Sequence, residues 1–219
     1  MLYPVNLDLS GRLVVVVGGG AVAERKVRGL LAAEDVSVRV VAPAVTEVLR
    51  ALAADERIDW RNECYVRGFL DGAFLVYAAT DSPAVNAEIA AEANEHGIPV
   101  NVIDDPDGSS FQIPACVRRG DFLLSVSTGG GSPALARAIR MELEQLYPPS
   151  FGVWLERVAI LRSELQAALP TSSARTAFWR TALRPDLLNM IRDGELEKAE
   201  VELRHAALDI GAKSSNCSG

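Results

Sequence analysis

The stretch Val14-Val15-Val16-Val17-Gly18-Gly19-Gly20-Ala21-Val22-Ala23-Glu24-Arg25-Lys26 constrains this chain more than any other. A β-branched run enters three glycines and leaves as a helix-compatible segment. That is how a strand, a tight turn and a helix N-terminus are written when the turn must cradle a phosphate. Gly18 would close the turn, Gly20 would let the backbone approach a pyrophosphate, and Ala23 would keep the helix close to the sheet. The pattern is the G-x-G-x-x-A form of the dinucleotide fingerprint. Glycine turns are common, so the inference depends on what surrounds this one.

What surrounds it is an alternation of strands and helices. Arg12 to Val17 is continuously apolar, as in a strand buried on both faces, and the following helix carries Val22, Val27, Leu30 and Leu31 along one side. Val36 to Ala42 predicts a second buried strand closed by Pro43, Val45 to Ala54 a short helix, Ile58 to Glu63 a modest strand and Leu75 to Ala79 another buried strand. Asp81 or Ser82 would cap a helix that begins at Pro83, runs to about His96 and stops at Gly97; Val100 to Ile103 is a further strand. Residues 1–110 therefore predict a doubly wound parallel sheet. The pattern then changes. Phe111 to Val117 and Phe122 to Ser127 read as a hairpin joined by Arg118-Arg119-Gly120-Asp121, followed by a helix to about Leu146. Beyond Phe151 the pattern is helical, interrupted at Pro170, Pro185 and Gly194, and it gives way to a polar tail.

Composition narrows the function classes. A net charge of -7 argues against nucleic acid as a partner, because counterion release needs a clustered basic surface. No apolar run reaches membrane-spanning length, and the leader lacks a basic, then apolar, targeting pattern. The three cysteines, Cys64, Cys116 and Cys217, are widely spaced, which fits a reducing cytoplasm. Neither His96 nor His205 stands at metal-ligand spacing from a second ligand, so no metal site is expected.

Sheets of this kind bind ligands beyond the carboxyl ends of their strands. Thr80, Asp81, Asn101, Asp104 and Asp105 fall at such ends. Asp104 reads either as a turn former or as a base able to take up a proton as hydride leaves. A ribose-binding acid is expected at the second strand's tip, where the chain instead has Val41-Ala42-Pro43-Ala44. Arg39 reads as a 2′-phosphate contact or as a packed arginine, and NAD is preferred to NADP. Thr128-Gly129-Gly130-Gly131-Ser132-Pro133 is a second glycine turn at a helix start, which either presents N–H groups to an anion or merely caps the helix. Arg118, Arg119, Arg137 and Arg140 supply positive charge suited to a polycarboxylate.

Five segments occur in an order that resembles the precorrin-2 dehydrogenases: the glycine stretch to Lys26, Ala78-Ala79-Thr80-Asp81, Asn101-Val102-Ile103-Asp104, Ser109-Ser110-Phe111-Gln112-Ile113-Pro114, and Ser127 through Arg137. That family includes the amino-terminal half of bacterial siroheme synthase and a yeast dehydrogenase/ferrochelatase. The resemblance implies an NAD-binding Rossmann domain over residues 1–112, a small α+β dimerisation region over 113–148 and a helical carboxyl-terminal domain over 149–210, with a disordered tail at 211–219. It implies the stand-alone form, without a methyltransferase module, acting as a homodimer. It also implies oxidation of precorrin-2, a polycarboxylate tetrapyrrole, to sirohydrochlorin with NAD+; ferrous iron would be a second substrate in members that chelate it. Asp104 would be the catalytic residue. The cofactor would be held by Gly18, Gly20, Ala21, Val22, Ala23, Pro43, Ala44, Thr80 and Asn101, and the substrate by Arg118, Arg119, Thr128, Gly129, Gly130, Ser132 and Arg137. The competing reading is a regulatory Rossmann module that senses NAD without catalysis. A hydroxy-acid dehydrogenase is disfavoured by the lack of a histidine-based catalytic set.

Overall fold

A computed structural model describes residues 2–33, 35–168 and 171–215, with side chains for all of these except 164–168 and 208–215. The chain divides into two compact units, Met1–Ile113 and Pro114–Gly219. No helix among the described residues is long and apolar enough to cross a membrane.

The first unit runs β1 (Leu13–Val17), α1 (Ala21–Leu30), β2 (Ser37–Val41), α2 (Glu47–Ala54), β3 (Asp59–Arg61), β4 (Leu75–Ala78), α3 (Pro83–Glu95) and β5 (Val100–Val102). The five strands pair in parallel in the order β3-β2-β1-β4-β5, so the sheet reverses direction of growth between β1 and β4. Val17 pairs with Val41 on one side and Ala78 on the other, which brings three strand ends level beneath one crevice. The continuous apolar run of β1 is explained by its neighbours. Val14 and Val16 pack beneath α1 and α2 with Val38, Val40 and Tyr77, while Val15 and Val17 face Leu70, Ile89 and Ala93 on the opposite side. Burying a valine fully is worth about 1.5 kcal/mol or more, so both faces of this strand hold the unit together.

The crossover from β3 to β4 contains no helix. Residues 62–74 are irregular turns, yet Tyr65, Phe69, Leu70 and Ala73 pack against the sheet as a helix would.

The second unit begins with an antiparallel hairpin, β6 (Ala115–Arg119) and β7 (Phe122–Val126), followed by α4 (Pro133–Leu146), α5 (Ser150–Ala168), α6 (Ser172–Ala182), α7 (Pro185–Arg192) and α8 (Leu196–Ser215). Two details differ from the sequence expectation. The hairpin turn is Gly120-Asp121 alone, with Gly120 at φ 59° and Arg119 paired to Phe122; the two arginines continue the strand. Phe111 lies outside the hairpin and packs edge-on against Tyr77, 5.6 Å between ring centres, in the first unit. Helices α5 to α8 share a core of Phe151, Trp154, Phe178, Ile191 and Leu203. Helix α8 extends to Ser215, past the boundary of 210 expected for the helical region; residues 216–219 of the expected tail, and the interruption at Pro170, lie outside the described residues.

Candidate nucleotide site

The glycine turn is built by chain crowding on two of its three positions. A Cβ on Gly18, at φ 125°, would stand 2.1 Å from the Ala79 carbonyl oxygen, and one on Gly19 would stand 1.9 Å from that of Ala44. Gly20 is different, because a Cβ there meets nothing within 4 Å. The first two glycines let β1's end pass between the ends of β4 and β2, and the third faces open space. Gly18 N–H donates to Val41 O at 2.9 Å and Thr46 N–H to Gly19 O at 3.0 Å, which fixes the turn to β2's tip.

Helix α1 then starts without a side-chain cap, whereas Thr46 caps α2 and Ser82 caps α3 within the same unit. Glycine has no side chain with which to satisfy the first-turn N–H groups, so they remain available to an anion, aided by the helix dipole. Glu24, the acid of this turn, does not compete for them. The Thr46 hydroxyl and the Arg28 guanidinium hold its carboxyl below the usual range, against a smaller opposing effect of burial. Ala23 is fully buried against the sheet, and Ala21 and Val22 belong to the exposed and half-buried side of the same turn.

Around the turn opens a cleft of about 660 Å³, lined by Val17 to Gly20, by Val41 to Thr46 of β2's tip, by Cys64 and Tyr65, and by Ala79 to Ser82 with Val85. That volume is far more than a compact ion fills. Of the expected cofactor residues, Gly18, Gly20, Pro43, Ala44 and Thr80 line it. Thr80 is held by the buried Asn86, whose amide accepts from Thr80 N–H at 3.1 Å and donates to Thr80 O at 3.1 Å, while the Thr80 hydroxyl donates to Asn86 Oδ1 at 2.7 Å. The Trp60 indole N–H donates to Ala42 O at 3.0 Å and anchors the other wall. Arg39 donates to Asp59 at 3.0 Å, which makes it a packed arginine of the β2–β3 pair. Asn101 is not part of the lining: its amide donates to Phe111 O at 3.1 Å and ties the following segment to β5.

At the end of β5, the neighbouring aspartates do different things. Asp105 Oδ1 accepts from Gly108 N–H at 2.9 Å, and the Ser109 hydroxyl donates to Asp105 O at 2.7 Å, so Asp105 builds the loop. Asp104 sits in the left-handed region at φ 54°, exposed, and its carboxylate makes no hydrogen bond among the described residues.

In the second unit, Thr128 Oγ1 donates to Ser132 O and accepts from Ser132 N–H, both at 3.1 Å, and Ser132 caps α4. Gly129 and Gly130 take positive φ angles of 63° and 88° to close that turn. Arg118 and Arg137 are exposed. Arg119 is placed otherwise than expected for a substrate contact: its guanidinium donates to the carbonyls of Tyr147, Arg118 and Glu144, where it caps the C-terminus of α4.

Sequence reasoning left out Gly19, Thr46, Cys64, Tyr65 and Asn86. Gly19 had a signal in the unbroken glycine triplet, and Thr46 in its position as an N-cap. Cys64 and Tyr65 had none, since an irregular crossover has no periodicity to read. No group of three His, Cys, Asp or Glu side chains among the described residues is arranged to hold a metal ion.

A family model for NAD(P)-binding domains matches residues 5–115, and one for the sirohaem synthase dimerisation region matches residues 150–207. The chain belongs to the NAD(P)-binding family whose model matches residues 5–115. The siroheme synthase of Methylococcus capsulatus is 40% identical over 204 residues, 93% of this chain and 43% of that protein; the one from Chromobacterium violaceum is 39% identical over 207 residues, 94% of this chain and 44% of that protein. The chain thus spans less than half the length of these curated relatives. A solved structure titled SirC, precorrin-2 dehydrogenase, is 26% identical with a TM-score of 0.70, covering 95% of this chain and 98% of that one. The Rossmann-type sheet and helical carboxyl-terminal region agree with these family matches. Within the family the description "dimerisation region" attaches to α5 to α8, the segment expected above as the helical domain, and not to the hairpin.

Proposed function

We propose that this chain is an NAD-dependent dehydrogenase that oxidises precorrin-2 to sirohydrochlorin on the route to siroheme. The observation that carries the reading is the uncapped N-terminus of α1 at the floor of the cleft, in a chain whose relatives are siroheme synthases and whose full-length structural relative is titled a precorrin-2 dehydrogenase. The first-turn N–H groups of α1 hold the pyrophosphate, and β2's tip meets the adenosine ribose with backbone groups, since it carries no acid. Bound NAD+ supplies the hydride acceptor. The free carboxylate of Asp104 takes the proton that leaves the reduced macrocycle. Arg118, Arg137 and the turn Thr128–Ser132 supply the charge and N–H groups that carboxylate side arms require; Arg119 serves them indirectly, by fixing α4.

Ferrous iron enters the proposal as a second substrate, and the dimer as a pair of identical chains. Exposed Leu135, Met141, Leu146, Val153 and Ile160 on α4 and α5 support the latter. The domain borders of 112 and 148, and the reducing cytoplasm, belong to the same proposal.

An anaerobic assay of precorrin-2 with NAD+, followed by Fe2+, reads NADH and the metallated chromophore separately. Wild type forms NADH in the first step. Asp104→Asn abolishes NADH formation while NAD+ binding persists; near-normal turnover of that variant removes Asp104 from the chemistry. A chain that binds NAD+ but never reduces it in the presence of precorrin-2 is the regulatory module instead.

A further inference from the structure

Glu92 is a buried carboxylate for which the proposed chemistry has no use. It lies on α3 with 1% of its surface exposed, and among the described residues no cation forms an ion pair with it; Arg67, close enough to interact with its charge, pairs with Glu95 instead. Its oxygens are taken by the Tyr65 hydroxyl, which donates at 2.5 Å to Oε2, and by Gly68 N–H, which donates at 2.9 Å to Oε1. Burying a carboxylate without a direct ion pair is costly, so this arrangement must hold something the fold would otherwise lose. What it holds is the irregular crossover 62–74, which has only scattered turn hydrogen bonds of its own, such as Ala73 N–H to Leu70 O at 2.9 Å, and delivers Cys64 and Tyr65 to the cleft.

Tyr65 carries the one aromatic ring among the described residues that line this cleft. It follows the end of β3 in the chain and lines the cleft together with Pro43 of β2's tip, the strand end that meets the adenosine half of a dinucleotide, and with Val85 of α3. The wall it forms has an apolar character, and an adenine base is the part of a dinucleotide with an apolar face to bury. We infer that Tyr65 is the adenine-binding residue of this chain, with Cys64 and Val85 completing the wall, and that Glu92 is the positioning residue that sets the Tyr65 ring. The inference rests on the dinucleotide reading above. Burial, and then the bond to Glu92, push the Tyr65 hydroxyl well above the ordinary tyrosine range, so the ring is neutral and its proton stays on the Glu92 bond at physiological pH.

The test uses the full chain and three ligands, NAD+, ADP-ribose and nicotinamide mononucleotide, with dissociation constants from calorimetry. Tyr65→Ala weakens NAD+ and ADP-ribose alike by about tenfold, the loss expected for an unstacked base, and leaves the mononucleotide unchanged. Tyr65→Phe and Glu92→Leu, which keep the ring and free it, give a smaller loss of the same two ligands. Glu92→Gln, whose amide oxygen accepts from Gly68 N–H while its NH2 donates to the Tyr65 hydroxyl oxygen, keeps the ring in place and retains wild-type affinity. A second measurement needs no variant: nuclear Overhauser contacts run from the adenine H2 and H8 of bound ADP-ribose to the Tyr65 ring. Wild-type affinity of a folded Tyr65→Ala chain for ADP-ribose, an equal loss for the mononucleotide, or the absence of those contacts overturns the inference. Failure of the wild type to bind NAD+ or ADP-ribose at all overturns the dinucleotide reading itself.

Discussion

At the scale of single residues, adjacent identical side chains are separated by geometry. Asp105 is consumed in holding Gly108 and Ser109, whereas Asp104 is left with a free carboxylate on a left-handed backbone. Asparagine tolerates that conformation as well as aspartate, which is why Asp104→Asn isolates the charge from the fold. The three glycines separate in the same way. Gly19→Ala forces a methyl onto the Ala44 carbonyl and is expected to cost roughly 1–3 kcal/mol of stability. Gly20→Ala meets open space and should cost less than about 1 kcal/mol, the difference between these residues as helix caps, while weakening NAD+ binding. Urea denaturation beside a binding titration checks the pair. The glycine motif was legible in the sequence, but this division of labour was not, because it depends on carbonyl groups 25 and more residues away that no local pattern records.

At the scale of elements, legibility followed periodicity. β1, β2, β4 and β5 were readable because buried parallel strands are continuously apolar, and α3 and α4 because a serine followed by proline, Ser82-Pro83 and Ser132-Pro133, announces their starts. The hairpin turn was read too long: Arg118 and Arg119 look like loop residues by charge, but Arg119 is needed within the strand to reach the carbonyls that end α4. The crossover 62–74 was unreadable for the opposite reason, since it is held by apolar packing without a period and by a buried carboxylate on a helix far along the chain. In the helical unit the test of packing is Phe178 on α6, fully buried among Trp154, Ile191 and Leu203. Phe178→Ala should destabilise that unit by about 3–5 kcal/mol, seen as an early transition in a thermal scan.

At the scale of the whole molecule, the two units depend on different terms. The first is a sheet with valine on both faces, and its stability carries a pH signature. Burial pushes the Tyr77 hydroxyl up to about 12 from an ordinary value of 10.0. The folded state therefore holds a proton that the unfolded chain releases. That contribution is complete below pH 10 and is lost as pH rises towards about 12. Urea midpoints measured at intervals across this window should fall, and Tyr77→Phe should flatten the fall. The second unit gathers its aromatic residues around helices, with Phe122, Tyr147 and Phe151 joining the hairpin to α5 at ring separations of 5.0 to 5.5 Å.

The unequal crowding of the glycine triplet also bears on how such chains diverge. Positions 18 and 19 are frozen by the carbonyl oxygens of Ala79 and Ala44, and drift would leave them untouched in a descendant that had abandoned its nucleotide. Only position 20 is free of that restraint, so a relative that retains the first two glycines but has mutated the third has kept the architecture and relinquished the ligand.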